Sequence, residues 1–166
     1  MSSTKCDKKP EPGDLIQIFR SVYQHWAIYV GDGYVIHLAP PSEYAQAGAY
    51  SMMSVLSDKA TVKKEELCEV VANDEYSINN LLDEEYEPRP IRDVLRDAHS
   101  LLGKELSYSI FYENCEHFVT ELRYGKPESR QVQELVIGCS TLAAVVAVVT
   151  AASVVLNSKD KKKQKL

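Results

Sequence analysis

The segment Asn114-Cys115-Glu116-His117-Phe118-Val119 sets a thiol at the start of an apolar helical stripe, since Phe118, Val119 and Leu122 follow Cys115 at i+3, i+4 and i+7. A helix N-terminus presents unpaired N–H groups and a partial positive charge. Both favour a thiolate, the nucleophilic form of cysteine. The spacing therefore marks Cys115 as a nucleophile, provided that a histidine reaches it from elsewhere in the chain. A thiol attacking a carbonyl also needs a base within hydrogen-bond reach and a third group to hold that base.

His25 and His37 are the candidates for those two places. His25-Trp26-Ala27-Ile28-Tyr29-Val30 and Tyr34-Val35-Ile36-His37-Leu38 are rich in β-branched and aromatic residues and read as strands, with Gly31-Asp32-Gly33 as the hairpin signal between them. The loop length decides the faces. A two-residue loop pairs position 30 with 35 and sends the two imidazoles to opposite faces. A three-residue loop pairs 30 with 34 and 27 with 37, which makes His25 and His37 diagonal neighbours on one face, roughly 7–8 Å apart by backbone geometry. Two glycines around Asp32 suit the three-residue loop and its left-handed position. Packing the Cys115 helix on the shared face would complete a Cys–His–His set. One histidine would then be the general base and the other its orienter, and the backbone N–H of Cys115 one donor to an oxyanion.

Each of these residues also has a plain structural reading. A cysteine in an apolar helix stripe is commonly a small core residue, and a strand histidine is commonly a packed side chain. His117 lies about 200° round the helix from Cys115 and is read as structural. His99 has no evident partner, and Cys6, Cys68 and Cys139 carry no chemical signal.

The elements that must position this set are legible in part. Residues 1–13 lack periodicity, and a flexible leader is placed at 1–10. Leu15-Ile16-Gln17-Ile18-Phe19 reads as a strand after Gly13-Asp14. Residues 42–60 read as a long loop, Leu67-Cys68-Glu69-Val70-Val71 as a further strand, and 73–90 as an acidic loop. Pro90 suits a first helical residue, and Val94, Leu95, Ala98, Leu101 and Leu102 form the stripe of a helix ending at Gly103. A short strand near 106–110 leads to the Cys115 helix, which stops at Gly125.

Length and charge bound the rest. The chain has 166 residues and a net charge of −5, but five lysines and one acid fall in residues 159–166. Residues 1–158 are left with 14 basic and 23 acidic side chains, a net −9 that argues against nucleic acid as a partner. Four cysteines without a C-x-x-C pair, and a polar N-terminus unlike a signal peptide, favour free thiols in a reducing compartment and argue against a zinc site. Leu135 to Leu156 is a run of 22 uncharged residues. As a helix it would be roughly 33 Å long, close to the ~30 Å hydrocarbon thickness of a bilayer. The expected organisation is a catalytic domain at 11–130, a single C-terminal membrane span within 131–158 and a basic tail at 159–166. The lysines after the span outnumber Arg123, Lys126 and Arg130 before it, which by the positive-inside rule favours a lumenal body. The free thiols and the missing signal peptide favour a cytosolic one, and that orientation is the expectation adopted.

The run from His25 to Leu38, together with Asn114 to Val119 and Arg123-Tyr124-Gly125, strongly resembles the phospholipase A/acyltransferase family, relatives of lecithin retinol acyltransferase. The resemblance spans about residues 11–156. It implies an α+β fold, a circularly permuted papain-like domain with an antiparallel sheet packed on the nucleophile helix, followed by the transmembrane helix. It implies Cys115 as nucleophile, His25 as base and His37 as third member, with Arg20 and Asn114 as possible supporting residues and no metal or cofactor. The implied chemistry is transfer of an acyl group from the sn-1 or sn-2 ester of a glycerophospholipid, through a thioester on Cys115, to water, to the amine of phosphatidylethanolamine or to a lysophospholipid. The family is also linked to organelle membrane remodelling and degradation and to peroxisomes, and the basic tail is compatible with a peroxisomal or mitochondrial anchor, the endoplasmic reticulum and lysosome being further possibilities. A papain-like cysteine peptidase or amidase, and a non-enzymatic membrane-anchored interaction protein, are the competing readings.

Overall fold

Leu15-Ile16-Gln17-Ile18 is too apolar to face water on either side, and as strand β1 (Leu15–Phe19) it is buried on both faces. The computed structural model describes residues 9–21, 23–40, 59–108, 114–134 and 136–138. Within them β1 is followed by β2 (Gln24–Gly31), β3 (Tyr34–Ala39), β4 (Lys59–Glu66), α1 (Leu67–Val71), β5 (Glu75–Ile78), α2 (Ile91–Ser100), β6 (Glu105–Ser107) and α3 (Cys115–Tyr124). The strands form one antiparallel sheet in the order β5-β1-β2-β3-β4-β6. The class is therefore α+β. The chain divides into two compact units, 1–129 and 130–166, and the sheet and all the elements named here belong to the first.

Side-chain alternation splits the interior into two clusters. Leu15, Trp26, Ile28, Ile36, Leu38, Ala60 and Val62 pack with α2 and α3, meeting Val94 and Ala98 from the first and Phe118, Val119 and Leu122 from the second. The opposite parity places Ile16, Ile18, Ala27, Tyr29 and Val35 against Val70 and Val71 of α1. A buried Val, Leu, Ile or Phe contributes about 1.5–3 kcal/mol, so the larger cluster dominates the stability of the domain.

The β2–β3 hairpin combines both loops considered from sequence. Gly31 pairs with Tyr34 around a two-residue turn whose central residues, Asp32 and Gly33, have φ of 53° and 83°. Positive φ at both positions is the condition for the hairpin turn that matches strand twist. The register then shifts by one residue between Tyr29 and Gly31, so that Tyr29 pairs with Val35 and Ala27 with His37. A bulge, not a longer loop, restores the parity that puts His25 and His37 on one face.

Two elements differ from the sequence expectation. Leu67–Val71 is a short helix, and the strand lies before it at Lys59–Glu66. Val70 and Val71 are adjacent and both buried in the same cluster, which a strand's alternation forbids and a helical turn permits. The acidic stretch 73–90 contains β5, which pairs with β1 through Ile16 and Ile78, Ile18 and Tyr76. Pro90 stands as the N-cap of α2, one position before its expected place. The expected leader at 1–10 and the loop at 42–60 fall largely outside the described residues, as does the uncharged run 135–156. Among the described residues no helix is long and apolar enough to cross a membrane.

Candidate active site

α3 begins where the sequence placed it, and its first turn is built from side chains. Asn114 is extended, and its carboxamide oxygen accepts from the N–H of Glu116 at 2.9 Å and of His117 at 3.0 Å. His117 Nδ1 accepts in return from the Asn114 N–H at 3.3 Å, closing a reciprocal cap. His117 is therefore part of the helix cap, as the structural reading required. Behind the cap the carboxylate of Glu116, only 1% exposed, accepts from the Ser129 hydroxyl at 2.7 Å. The Thr120 hydroxyl donates to the Glu128 carbonyl at 3.0 Å and accepts from the Glu128 N–H at 2.9 Å. These bonds tie the first two turns of α3 to the segment that follows the helix.

Cys115 is the first helical residue and is buried. Its thiol points to the start of β2, with Sγ 3.7 Å from the carbonyl oxygen of Gln24, the residue before His25. A line of carboxamides supports that strand end: Asn79 donates to Gln17 at 2.8 Å, and Gln17 donates to Gln24.

His25 and His37 are fully buried and meet directly, His25 Nε2 lying 2.8 Å from His37 Nδ1. Their rings are edge-on, 5.1 Å between centroids with an interplanar angle of 82°. The other nitrogen of His37, Nε2, lies 2.7 Å from Oε2 of Glu65 on β4. The pairing of the two imidazoles thus agrees with the sequence argument.

The expected route by which the thiol joins them does not. His25 has the parity of Ala27 and Tyr29, which belong to the cluster beneath α1, whereas the apolar stripe of α3 packs on Trp26, Ile28, Ile36 and Leu38. The helix lies on the face opposite the histidines, because its stripe needs the large aliphatic residues of the alternate positions. Cys115 meets β2 at the strand's first residues, from the tip of the helix, and not across the covered face.

The two supporting candidates separate. Asn114 is the cap described above, adjoining the thiol. Arg20 reaches α1, donating to the carbonyls of Val70 at 2.6 Å and Val71 at 3.2 Å and to Asp74 Oδ2 at 2.6 Å. A cation on those C-terminal carbonyls holds α1 to the sheet.

Sequence reasoning missed Glu65 and the group that anchors the far end of α3. Arg123 makes a two-pronged pair with Asp83, Nε to Oδ1 at 3.0 Å and Nη2 to Oδ2 at 2.8 Å, and donates to the Gly13 carbonyl at 2.7 Å. The Tyr124 hydroxyl donates to Asp83 Oδ1 at 2.7 Å. Burial alone would raise the Asp83 carboxyl, but the bonds from Arg123 and Tyr124 outweigh it and hold it below the usual carboxylate range. Burial and then the bond to Asp83 push the Tyr124 phenol up to about 12. The signal available in the sequence was the Arg123-Tyr124-Gly125 motif, which has no meaning until Asp83 arrives from 40 residues away.

The family profile described as "Lecithin retinol acyltransferase" matches residues 8–128. "Phospholipase A and acyltransferase 3" of Mus musculus is 54% identical over 156 residues, covering 94% of this chain and 96% of the relative. "Phospholipase A and acyltransferase 4" of Homo sapiens is 52% identical over 143 residues, covering 85% and 87%. "Phospholipase A and acyltransferase 2" of Homo sapiens is 47% identical over 156 residues, covering 94% and 96%.

Proposed function

This chain belongs to the phospholipase A/acyltransferase family, with the domain of lecithin retinol acyltransferase, and on that premise we propose that it is a thiol-dependent phospholipase A and acyltransferase acting on glycerophospholipids. The observation that carries the reading is the buried His25–His37 pair at 2.8 Å, with His25 on the strand whose first residues receive the Cys115 thiol. The order of the site along the chain, both histidines before the cysteine, agrees with a circularly permuted papain-like domain.

The chemistry follows from the roles. His25 takes the proton of Cys115, and the thiolate attacks the carbonyl carbon of an sn-1 or sn-2 ester. The oxyanion is assigned to the backbone N–H of Cys115 at the positive end of α3, since Asn114 takes the N–H groups of Glu116 and His117. His25 then returns its proton to the leaving alkoxide, which departs as lysophospholipid and leaves a thioester on Cys115. Water, the amine of phosphatidylethanolamine or the hydroxyl of a lysophospholipid attacks that thioester, with His25 again accepting the proton. The products are a fatty acid, an N-acyl lipid or a new ester, and the free thiol is restored. No step calls for a metal or a cofactor.

The uncharged run 135–156 is proposed as a single membrane anchor that holds this site beside its insoluble substrate at high effective concentration, with the domain facing the cytosol and the anchor in an organelle membrane. Loss of residues 131–166 is expected to move the protein to the soluble fraction on cell fractionation; a truncated chain that stays wholly with membranes would remove the anchor from this account.

The mechanism is tested by the intact mass of the protein after brief exposure to phosphatidylcholine vesicles. An added acyl mass on the wild type, absent from Cys115→Ala, is the expected result. Fatty-acid release by Cys115→Ala at the wild-type rate would end the thioester proposal.

A further inference from the structure

The His25–His37 pair does not stop at His37. Glu65 Oε2 lies 2.7 Å from His37 Nε2, with the His37 side chain 1% exposed and that of Glu65 28%. An ionised carboxylate can only accept a hydrogen bond. The ring nitrogen that faces it therefore carries the proton, which makes His37 an Nε2–H ring. In a neutral His37 the remaining nitrogen, Nδ1, is then an acceptor. It faces His25 Nε2 at 2.8 Å, so that nitrogen of His25 must be the donor. A neutral His25 is left with its lone pair on Nδ1. One carboxylate on β4 thus orders the ring protons of two histidines in sequence and leaves the basic nitrogen at the far end of the line.

We propose that Glu65 is a positioning residue of this site, fixing the tautomer of His37 and through it that of His25, so that Nδ1 of His25 is the base for the Cys115 proton. The inference rests on the roles given above to Cys115 and His25. In the step it serves, the S–H bond of Cys115 breaks, an N–H bond forms at His25 Nδ1, and His25 becomes an imidazolium beside a thiolate. No proton passes to His37 or Glu65. The carboxylate contributes orientation beforehand and negative charge afterwards. Lys63, across from His37 in the β3–β4 register and on the same strand as Glu65, acts in the opposite sense by disfavouring positive charge on the pair.

A glutamine at this position has a specific effect. Its amide can donate to His37 Nε2, which reverses the line: His37 then carries its proton on Nδ1, His25 Nε2 becomes the acceptor, and the proton of His25 sits on Nδ1, where the base is needed. An aspartate keeps the acceptor and shortens the reach. Removing a group that orients a catalytic imidazole costs about 10- to 100-fold where the ring can still find its orientation, and up to about 10⁴-fold where the wrong tautomer is locked in.

The test uses the full chain as wild type, Glu65→Gln and Glu65→Asp. The two buried histidines are read by nitrogen–proton correlation spectra of their rings, and the acylation of Cys115 is read by intact mass on phosphatidylcholine vesicles. The expected result is Nε2–H on both rings of the wild type and Nδ1–H on His25 in Glu65→Gln. The maximal acylation rate of Glu65→Gln falls at least tenfold while the vesicle concentration for half-maximal rate stays within about twofold, and Glu65→Asp recovers the wild-type tautomers and most of the rate. Wild-type tautomers and rate in a folded Glu65→Gln would overturn the proposal. If Glu65→Gln does not fold, the wild-type spectrum decides alone, since Nδ1–H on His25 overturns the proposal and Nε2–H supports it. Failure of the underlying reading looks different: the wild type would carry no acyl group, while the spectra would still report whether Glu65 orders the rings.

Discussion

The two ends of α3 are held by different means. At the C-terminal end Arg123, Asp83 and Tyr124 form a charged network with one long-range arm to the Gly13 carbonyl, and Arg89 adds a hydrogen bond to the Leu122 carbonyl at 3.0 Å. At the N-terminal end the neighbour of the thiol is a neutral carboxamide, Asn114, closed by the imidazole of His117. The difference follows from what each end does. Cations near helix carbonyls stabilise the helix, so the far end can be locked by charge. A carboxylate at the N-cap would satisfy the same N–H groups but would cancel the positive end of the helix and repel a thiolate beside it. The capping side chain at the reacting end is itself neutral, with the buried Glu116 carboxylate held behind it by Ser129, and a charged lock is added at the other end, ten residues along the same helix.

This contrast makes four predictions, in falling order of effect. Replacing the thiol itself should separate chemistry from support: Cys115→Ala should show no acylation and lose at least about 10⁴-fold in fatty-acid release, with a thermal midpoint near that of the wild type. An equal loss of stability would mean that Cys115 is chiefly a packing residue. The opposite behaviour is expected at the far end. Arg123→Ala breaks the pair and leaves Asp83 behind, which in a fully buried site costs about 3–5 kcal/mol. Asp83 is 38% exposed, so about 2–3 kcal/mol is expected, or a midpoint lower by roughly 5–10 °C. Calorimetry should show this while the folded fraction keeps most of its specific activity; a variant as stable as the wild type would remove the network from its supporting role.

Asn114→Asp tests the neutral cap. It keeps the acceptor for the two helix N–H groups but loses the Nδ2 donor to Ser129 at 3.4 Å and buries a charge, so denaturant titration should show a loss of about 1–2 kcal/mol. The new charge beside Cys115 should slow acylation about tenfold, a 1.4 kcal/mol effect. Unchanged acylation would show that the charge of the cap is immaterial.

The smallest effect lies in alkali. The Tyr124 phenol is raised from 10.0 to about 12 in the folded chain. Its contribution to stability is therefore complete below pH 10 and is lost as pH rises from 10 toward 12. Tyr124→Phe has no such proton to lose, so the gap in stability between wild type and variant should narrow across that window. A gap that stays constant would show that the hydroxyl does not titrate with folding. Asp83 behaves in the opposite direction: its lowered carboxyl contributes above its unfolded value of 3.8 and loses that contribution as pH falls below it.

How much could be read in advance depended on how local each cause is. The helix start at Cys115 and the stop at Gly125 are made by neighbouring residues, and both were legible, although the reciprocal cap of Asn114 and His117 was not. The hairpin was legible in its parity but not in its device, because the two-residue turn at Asp32-Gly33 and the bulge beyond Tyr29 compensate each other. The strand at 59–66 was misplaced onto Leu67–Val71, where five apolar-rich residues fit either period and only the joint burial of Val70 and Val71 decides for a helix. That error also concealed Glu65. Had Ala60 and Val62 been taken as the inward set, alternation would have placed Lys63 and Glu65 on the face of His37.

By itself, then, the sequence determined the thiol at a helix start, a hairpin with an imidazole on each strand, and the uncharged run beyond residue 134. These follow from periodicity and turn chemistry over a few residues at a time. Tertiary structure decided that α3 packs on the face opposite the histidines and delivers Cys115 to the first residues of β2. It also decided that Glu65 closes the histidine line and that Asp83 anchors Arg123 and Tyr124. Each of those contacts joins residues between 28 and 91 positions apart. No local pattern encodes such a pair, because the partner is chosen by which faces the whole sheet leaves open once its large side chains have been buried.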